Sequence, residues 1–172
     1  AISVDADLQH DLRMIPNLLE TSRDASGSTL MVGCRWPLHP DQPKRNLLGR
    51  TVSNVAIRLH CGIAVGDAPC GFRVWPLDRI ETLGGRSGRY AWEQEMITRL
   101  AWAGVKIRSI DVPAIYHAGD ERVSHYRFGR DWPEGIAIYL WLLVLALIPR
   151  STGGWRTQLL RRTSRLISPG PL

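Results

Sequence analysis

Apolar positions along the chain follow two periods, and their order predicts strands alternating with helices. Ile2, Ser3 and Val4 read as the last residues of a buried strand that runs out into Asp5, Ala6 and Asp7. Asp11 can cap a short helix with Ile15, Leu18 and Leu19 on one face and Pro16 in its first turn. Ser28 to Gly33 reads as a second strand, and residues 34–45, which hold Pro37, Pro40 and Pro43, read as a mobile loop. Leu47, Leu48, Val52, Val55, Ala56 and Leu59 recur at helical spacing, and Gly62 stands where that helix would take a left-handed last residue. Phe72, Val74 and Trp75 suggest a short strand, Pro76 opens a helical turn through Leu83, and Gly84 to Gly88 breaks it. Trp92, Met96, Ile97, Leu100 and Ala103 mark an amphipathic helix that stops at Gly104. Val105, Ile107, Ile110 and Val112 follow as a strand whose alternation slips near Ser109, as at a bulge. This order predicts an α/β fold.

Gly135 to Ile148 differs from every other segment, being apolar on all faces until Pro149 and Arg150 end it. At about 14 residues it is shorter than the ~20 that span a bilayer upright, which leaves a buried helix, an interfacial helix or a re-entrant element. Arg150, Arg156, Arg161, Arg162 and Arg165 follow, a pattern that suits anionic lipid on the cytoplasmic side. The expected division is therefore residues 1–133 as a folded α/β part and 134–172 as an apolar helix with a basic tail.

With 172 residues, 44% of them hydrophobic, the chain can bury one sizeable core, which excludes disordered and collagen-like classes. Lys and Arg number 22 against 16 Asp and Glu, so an anionic partner is expected: nucleic acid, lipid headgroups or a phosphorylated substrate. Nucleic acid ranks last, because no zinc finger, RNA-binding strand motif or basic recognition helix is present. Cys34, Cys61 and Cys70 have no CxxC spacing, and no His pair sits at a zinc-ligand interval, so a reducing, cytoplasmic setting is expected. Ala1 to Asp7 has neither the basic start nor the apolar run of a signal peptide.

Asp5 and Asp7 stand two apart at the expected carboxyl end of a strand, where α/β sheets place ligands. Two close carboxylates make a hard-oxygen site for Mg²⁺ or Mn²⁺, which usually holds substrate phosphates. Asp-x-Asp also occurs by chance in turns, and these residues alone leave both readings open.

The wider context of Asp5 and Asp7 carries a resemblance. VDADLQHD, Val4 to Asp11, with Ile15, Pro16 and Leu18 to Glu20 after it, looks like the Asp-x-Asp-x-Gln-His-Asp segment and following helix of family 2 glycosyltransferases. GDAPCGFRVWPLDRIE, Gly66 to Glu81, resembles that family's acceptor-side segment. YAWEQEMITRLAWAGVKIRSIDVPAIYH, Tyr90 to His117, resembles its acidic helix and the next strand. RVSHYR, Arg122 to Arg127, is similar to a Ser-His-Phe-Arg segment of members that use polyprenyl-phosphate carriers, with Tyr126 in place of Phe. Order and spacing agree over roughly residues 2 to 127.

The resemblance implies a Rossmann-like GT-A fold, a nucleotide-diphosphate sugar as donor, a divalent cation, and transfer with inversion to an acceptor such as a lipid phosphate. On that basis Asp7 would be the direct metal ligand, Asp5 would contact the nucleotide or the metal, and Gln9 would sit near the diphosphate. Asp67 would be the acceptor-side acid, although a turn carboxylate between Gly66 and Pro69 is the competing reading. Glu93 and Glu95 fall on the acidic helix and, two apart, point to different faces, so that at most one is expected to enter the cleft. Carboxylates that merely favour a helix N-terminus are the other possibility there. Arg73, Arg122 and Arg127 have the planar donors that suit phosphate, and Arg127 lies shortly before the apolar helix.

His10 and His125 lie inside matched segments, whereas His39, His60 and His117 are expected to be structural or surface residues. Trp92, Trp102 and Trp141 are expected in the core or at a membrane interface, with Trp36 and Trp75 left open. The family pattern begins with strands and a helix that hold the nucleotide base and ribose, and only Ala1 to Val4 stand upstream here. The resemblance therefore implies a partial GT-A domain with a membrane-associated helix at the inner face of the membrane. A noncatalytic peripheral membrane-binding fragment is the alternative.

Overall fold

The computed structural model describes residues 1–24, 28–36, 44–85, 87–115 and 128–147. Within them the chain is mixed α/β: strands β1 (Ile2–Ser3), β2 (Thr29–Arg35), β3 (Arg73–Val74) and β4 (Lys106–Val112), and helices α1 (Ile15–Asp24), α2 (Lys44–Cys61), α3 (Leu77–Leu83), α4 (Arg89–Trp102) and α5 (Phe128–Leu147). The strands form one sheet in the order β1-β3-β2-β4.

Local signals account for where the elements start and stop. The Asp11 carboxylate accepts the backbone N–H of Arg13 and so caps a single 3-10 turn, Leu12–Met14, that leads into α1. Gly62 and Gly104 end α2 and α4 with φ of 73° and 77°, a left-handed conformation that glycine adopts without a Cβ penalty. Pro76 is the N-cap of α3.

The sheet is mixed, because β3 runs antiparallel to both β1 and β2 while β4 is parallel to β2. Long-range contacts explain the direction of β3. After α2 the chain is pinned at the carboxyl end of β2, where Arg35 Nε and Nη2 donate to the Asp67 carboxylate at 2.7 and 2.9 Å. A Cβ on Gly66 would also meet Cys34 Sγ at 2.9 Å. The strand that follows can only start from that end, so it runs back against β2.

The alternation slip near Ser109 is not a bulge, since β4 pairs with β2 without interruption from Thr29↔Lys106 to Arg35↔Val112. Both faces of the sheet are covered, and apolar residues of β4 serve one face and then the other. Ile107 packs with Leu30, Val32, Ile57, Met96, Ile97 and Leu100 on the side of α2 and α4. Ile110 and Val112 pack with Met31, Phe72, Val74 and Leu18 on the side of α1. Lys106, Arg108, Ser109 and Asp111 are exposed, so β4 is an edge strand that sends single apolar residues to each face instead of alternating along one buried face.

The apolar run of the sequence lies in α5, whose helix begins upstream of it and carries Pro133 inside. Among the described residues no helix is long and apolar enough to cross a membrane. α5 packs on α4 and α2, with Leu142 and Leu145 buried. The Tyr139 hydroxyl lies 3.0 Å from Ser53 Oγ, and the Tyr139 carbonyl lies 3.0 Å from His60 Nε2. Burial pushes the His60 imidazole below its ordinary pKa, which fits a structural role. Cys34, Cys61 and Cys70 form no disulfide with one another. The proline-containing residues 37–43, His39, His117, Arg122, His125, Arg127 and the arginines from 150 to 165 lie outside the described residues.

Candidate functional site

Residues 5–10 cross the ends of the strands. They leave β1 at Ser3, and His10 forms a bridge to Ala114 just beyond β4, while Ile115 N donates to the Gln9 carbonyl at 3.0 Å. The segment thus runs along the carboxyl ends of β1, β2 and β4, the ligand-binding end of α/β sheets. Two features hold its shape. Asp7 Oδ1 accepts the Gln9 N–H at 3.1 Å, and Leu8 adopts φ of 60°, a left-handed conformation that costs a non-glycine residue about 1–2 kcal/mol.

Four residues from three distant segments meet there. Asp5 Oδ2 lies 3.8 Å from His10 Nε2, and Arg73 Nη2 lies 3.1 Å from Glu93 Oε2. The neighbouring His10 imidazole is the largest influence on Asp5 and holds its carboxyl below the ordinary range, with Arg73 acting the same way and burial opposing them. Burial is the largest influence on Glu93 and pushes its carboxyl up, with the nearby Asp5 charge adding to this and Arg73 opposing it. Gly71 is required beside Asp5, because a Cβ there would collide with the carboxylate. The ring of His10 packs on Phe72 at 5.3 Å, and the Arg73 guanidinium lies 5.2 Å from the Trp75 ring centroid.

The cluster has an open side and an unsatisfied floor. The side chains of Asp5 and Glu93 are 46% and 27% exposed, while those of His10 and Arg73 are 2% and 0% exposed. His10 Nδ1 and Arg73 Nε and Nη1 are buried without a hydrogen-bond partner. Buried donors in a folded protein are nearly always satisfied, so a floor with three open polar atoms is unusual. Two carboxylates against one guanidinium also leave negative charge at the solvent side.

That charge, and the hard oxygens of Asp5 and Asp7, fit Mg²⁺ or Mn²⁺ in chemical type. No group of three or more His, Cys, Asp or Glu side chains able to hold a metal is present among the described residues. A cation here would therefore share its coordination with substrate oxygens and water, as Mg²⁺ commonly does. Gln9 is buried, and its main-chain N–H and C=O tie the segment to Asp7 and Ile115.

Asp67 and Glu95 do not join this cluster. The Asp67 carboxylate is fully buried against Arg35, with Arg50 Nη1 at 3.8 Å. Glu95 is also fully buried, paired with Arg99 one turn on at 2.5 Å and accepting the Ser87 N–H at 2.8 Å. The two glutamates of α4 therefore face apart, and Glu93 alone reaches the strand ends. Arg35 and Arg50, which sequence reasoning passed over, anchor the turn before Gly71; no local signal marked them, because their partner is distant in sequence. Trp75 is buried and packs on Trp92 with ring centroids 5.2 Å apart, whereas Trp36 is exposed.

Comparison with protein-family models, curated proteins and solved structures gives no significant match.

Proposed function

We propose that this chain is the catalytic part of a metal-dependent, inverting glycosyltransferase similar to family 2, with a GT-A-type fold. It would move a sugar from a nucleotide-diphosphate donor to an acceptor, with a lipid (polyprenyl) phosphate favoured. The observation that carries the reading is the meeting of Asp5, Arg73 and Glu93 at one end of the sheet. They come from three separate segments, each of which resembles a different motif of that family.

The chemistry follows from the residues. Asp7, with Asp5 two residues before it, would hold the divalent cation, which when bound stabilises the charge that develops on a diphosphate leaving group. Arg73 brings nitrogen donors with no protein partner, suited to phosphate oxygens that reach the floor of the cluster. Glu93, half-buried with a raised pKa, is suited to accept a proton from a hydroxyl acceptor. A phosphate acceptor is already an anionic nucleophile, and Glu93 then positions Arg73 instead. Asp67, buried against Arg35, supports the turn that carries Gly71. Arg122 and Arg127 remain candidates for the acceptor phosphate on the resemblance alone.

The test is calorimetric titration of nucleoside diphosphates with Mn²⁺ into the chain and into an Asp5→Ala, Asp7→Ala double variant. Binding that requires both the metal and the aspartates supports the reading. A folded chain that binds no nucleotide would instead favour a noncatalytic role at a membrane.

A further inference from the structure

Trp75 has no part in the chemistry above, yet it touches both halves of the cluster. The Arg73 guanidinium lies over its ring, with Cζ 5.2 Å from the centroid. Its indole N–H donates to Ser3 Oγ at 2.8 Å, and the Ser3 hydroxyl donates in turn to the Gly71 carbonyl at 2.8 Å. Gly71 is the residue against which the Asp5 carboxylate rests. Trp92 backs the ring with centroids 5.2 Å apart and planes at 55°, and a Cβ on Gly85 would collide with the Trp92 indole. Three segments, β1, the turn after α3 and α4, therefore fix one indole at the end of β3.

The ring gives Arg73 what a carboxylate could not. Arg73 is fully buried, and its Nη2 donates to the Ala68 carbonyl at 2.5 Å and faces Glu93 Oε2 at 3.1 Å. Its Nε and Nη1 have no hydrogen-bond partner. An aromatic face attracts a cation through its quadrupole without accepting a directed hydrogen bond from each nitrogen. It can hold the guanidinium in place and leave two nitrogens free. Asp67 does the opposite to Arg35, whose Nε and Nη2 it takes up. Trp75 also belongs to the core that contains Leu30, Met96 and Leu100, and core packing accounts for its burial. Packing alone does not account for a cation on one face and a hydroxyl bridge from the indole nitrogen to Gly71.

We propose that Trp75 is a positioning residue, whose ring holds the Arg73 guanidinium at the floor of the cluster with two nitrogens free for the oxygens of an anionic group. The inference rests on the reading of the cluster as the site of a nucleoside diphosphate, and on neither the acceptor nor the membrane. With 6% of its surface exposed, Trp75 acts through Arg73 and not on a ligand directly. Gly85 acts one step further back, because a side chain there displaces Trp92, against which Trp75 rests.

Fluorinated tryptophans placed at position 75 alone of the full 172-residue chain, which has seven tryptophans, test this. Fluorine keeps the shape of the ring and its N–H but withdraws electron density from the face that a cation meets. Affinity for UDP and GDP, each with Mn²⁺, should fall stepwise with the number of fluorines, by about three- to tenfold in all, at unchanged melting temperature. The Arg73 Nε–H signal in nitrogen-edited NMR, assigned by its loss in Arg73→Lys, should be shielded by the ring in the parent. Its exchange with water should quicken with each fluorine. Trp75→Phe, which keeps an aromatic face, should retain more of that shielding than Trp75→Leu. Burial alone would slow exchange equally in all the fluorinated chains, so an Arg73 signal indifferent to fluorination overturns the role of Trp75. If the parent binds neither nucleotide, the reading of the site fails. The Arg73 signal then decides the role of Trp75 by itself, a fluorine-dependent signal upholding it and an indifferent one overturning it.

Discussion

Around Asp67 every charge is closed off, while around Asp5 the charges are left partly open. The Asp67 carboxylate is fully buried and takes two hydrogen bonds from Arg35, and Glu95 is equally buried against Arg99. Asp5 keeps nearly half of its side chain in water, and beneath it the Arg73 guanidinium has two nitrogens without partners. A closed pair satisfies its charge inside the fold, between distant segments at Asp67 and within one helix at Glu95. An open cluster holds its groups in place yet retains charge and donors that a ligand can use. By this difference Asp67 and Glu95 hold structure together in closed pairs, whereas Asp5 and Glu93 keep groups open to a ligand.

Mutations should separate the two groups by effect. Asp67→Asn should have the largest, a loss of about 3–5 kcal/mol in denaturant unfolding, because it leaves Arg35 half-buried and poorly compensated. A variant that stayed fully stable but lost transfer would break the comparison. Glu95→Gln should cost about 3 kcal/mol in the same assay for the same reason, within one helix. Gly71→Ala should cost about 1–3 kcal/mol, since the new Cβ displaces the Asp5 carboxylate, and should abolish Mn²⁺-dependent nucleotide binding.

The remaining two changes should be small in stability and visible in pH. Glu93→Gln should cost about 1 kcal/mol or less near neutral pH. A carboxyl raised in the folded state loses stability as it ionises, so the parent should weaken relative to Glu93→Gln as pH rises from the ordinary glutamate range through the raised value. Asp5 is depressed in the folded state, so its contribution is present above the ordinary aspartate range and is lost as pH falls through the depressed value. Asp5→Asn should flatten that acid limb in pH-dependent melting, and an unchanged limb would remove Asp5 from the cluster.

Much of the secondary structure was legible in the residues because its causes are local. Asp11 as a cap, Pro76 at a helix start, and Gly62 and Gly104 as left-handed ends act within one turn of chain. The candidate site was half legible. Asp5, Arg73 and Glu93 were all singled out, but Asp67 and Glu95 carried the same weight until their buried partners were known. His10 stood only as a member of a matched segment, and its place beside Asp5 depends on the turn that Leu8 makes.

By itself the sequence determined the class of fold, the order of its elements, and the helical and extended periods, since each follows from side-chain spacing on a short length of backbone. Tertiary structure decided what spacing does not encode. The direction of β3 depends on an ion pair between Asp67 and the end of β2. The split of Ile107 from Ile110 and Val112 between two faces depends on helices lying on both sides of the sheet, along a strand whose other residues are exposed. The exposure of Leu48, Val52, Val55 and Leu59 on α2 depends on which side its neighbours occupy, because a helical period reports that one face is apolar and not what lies against it.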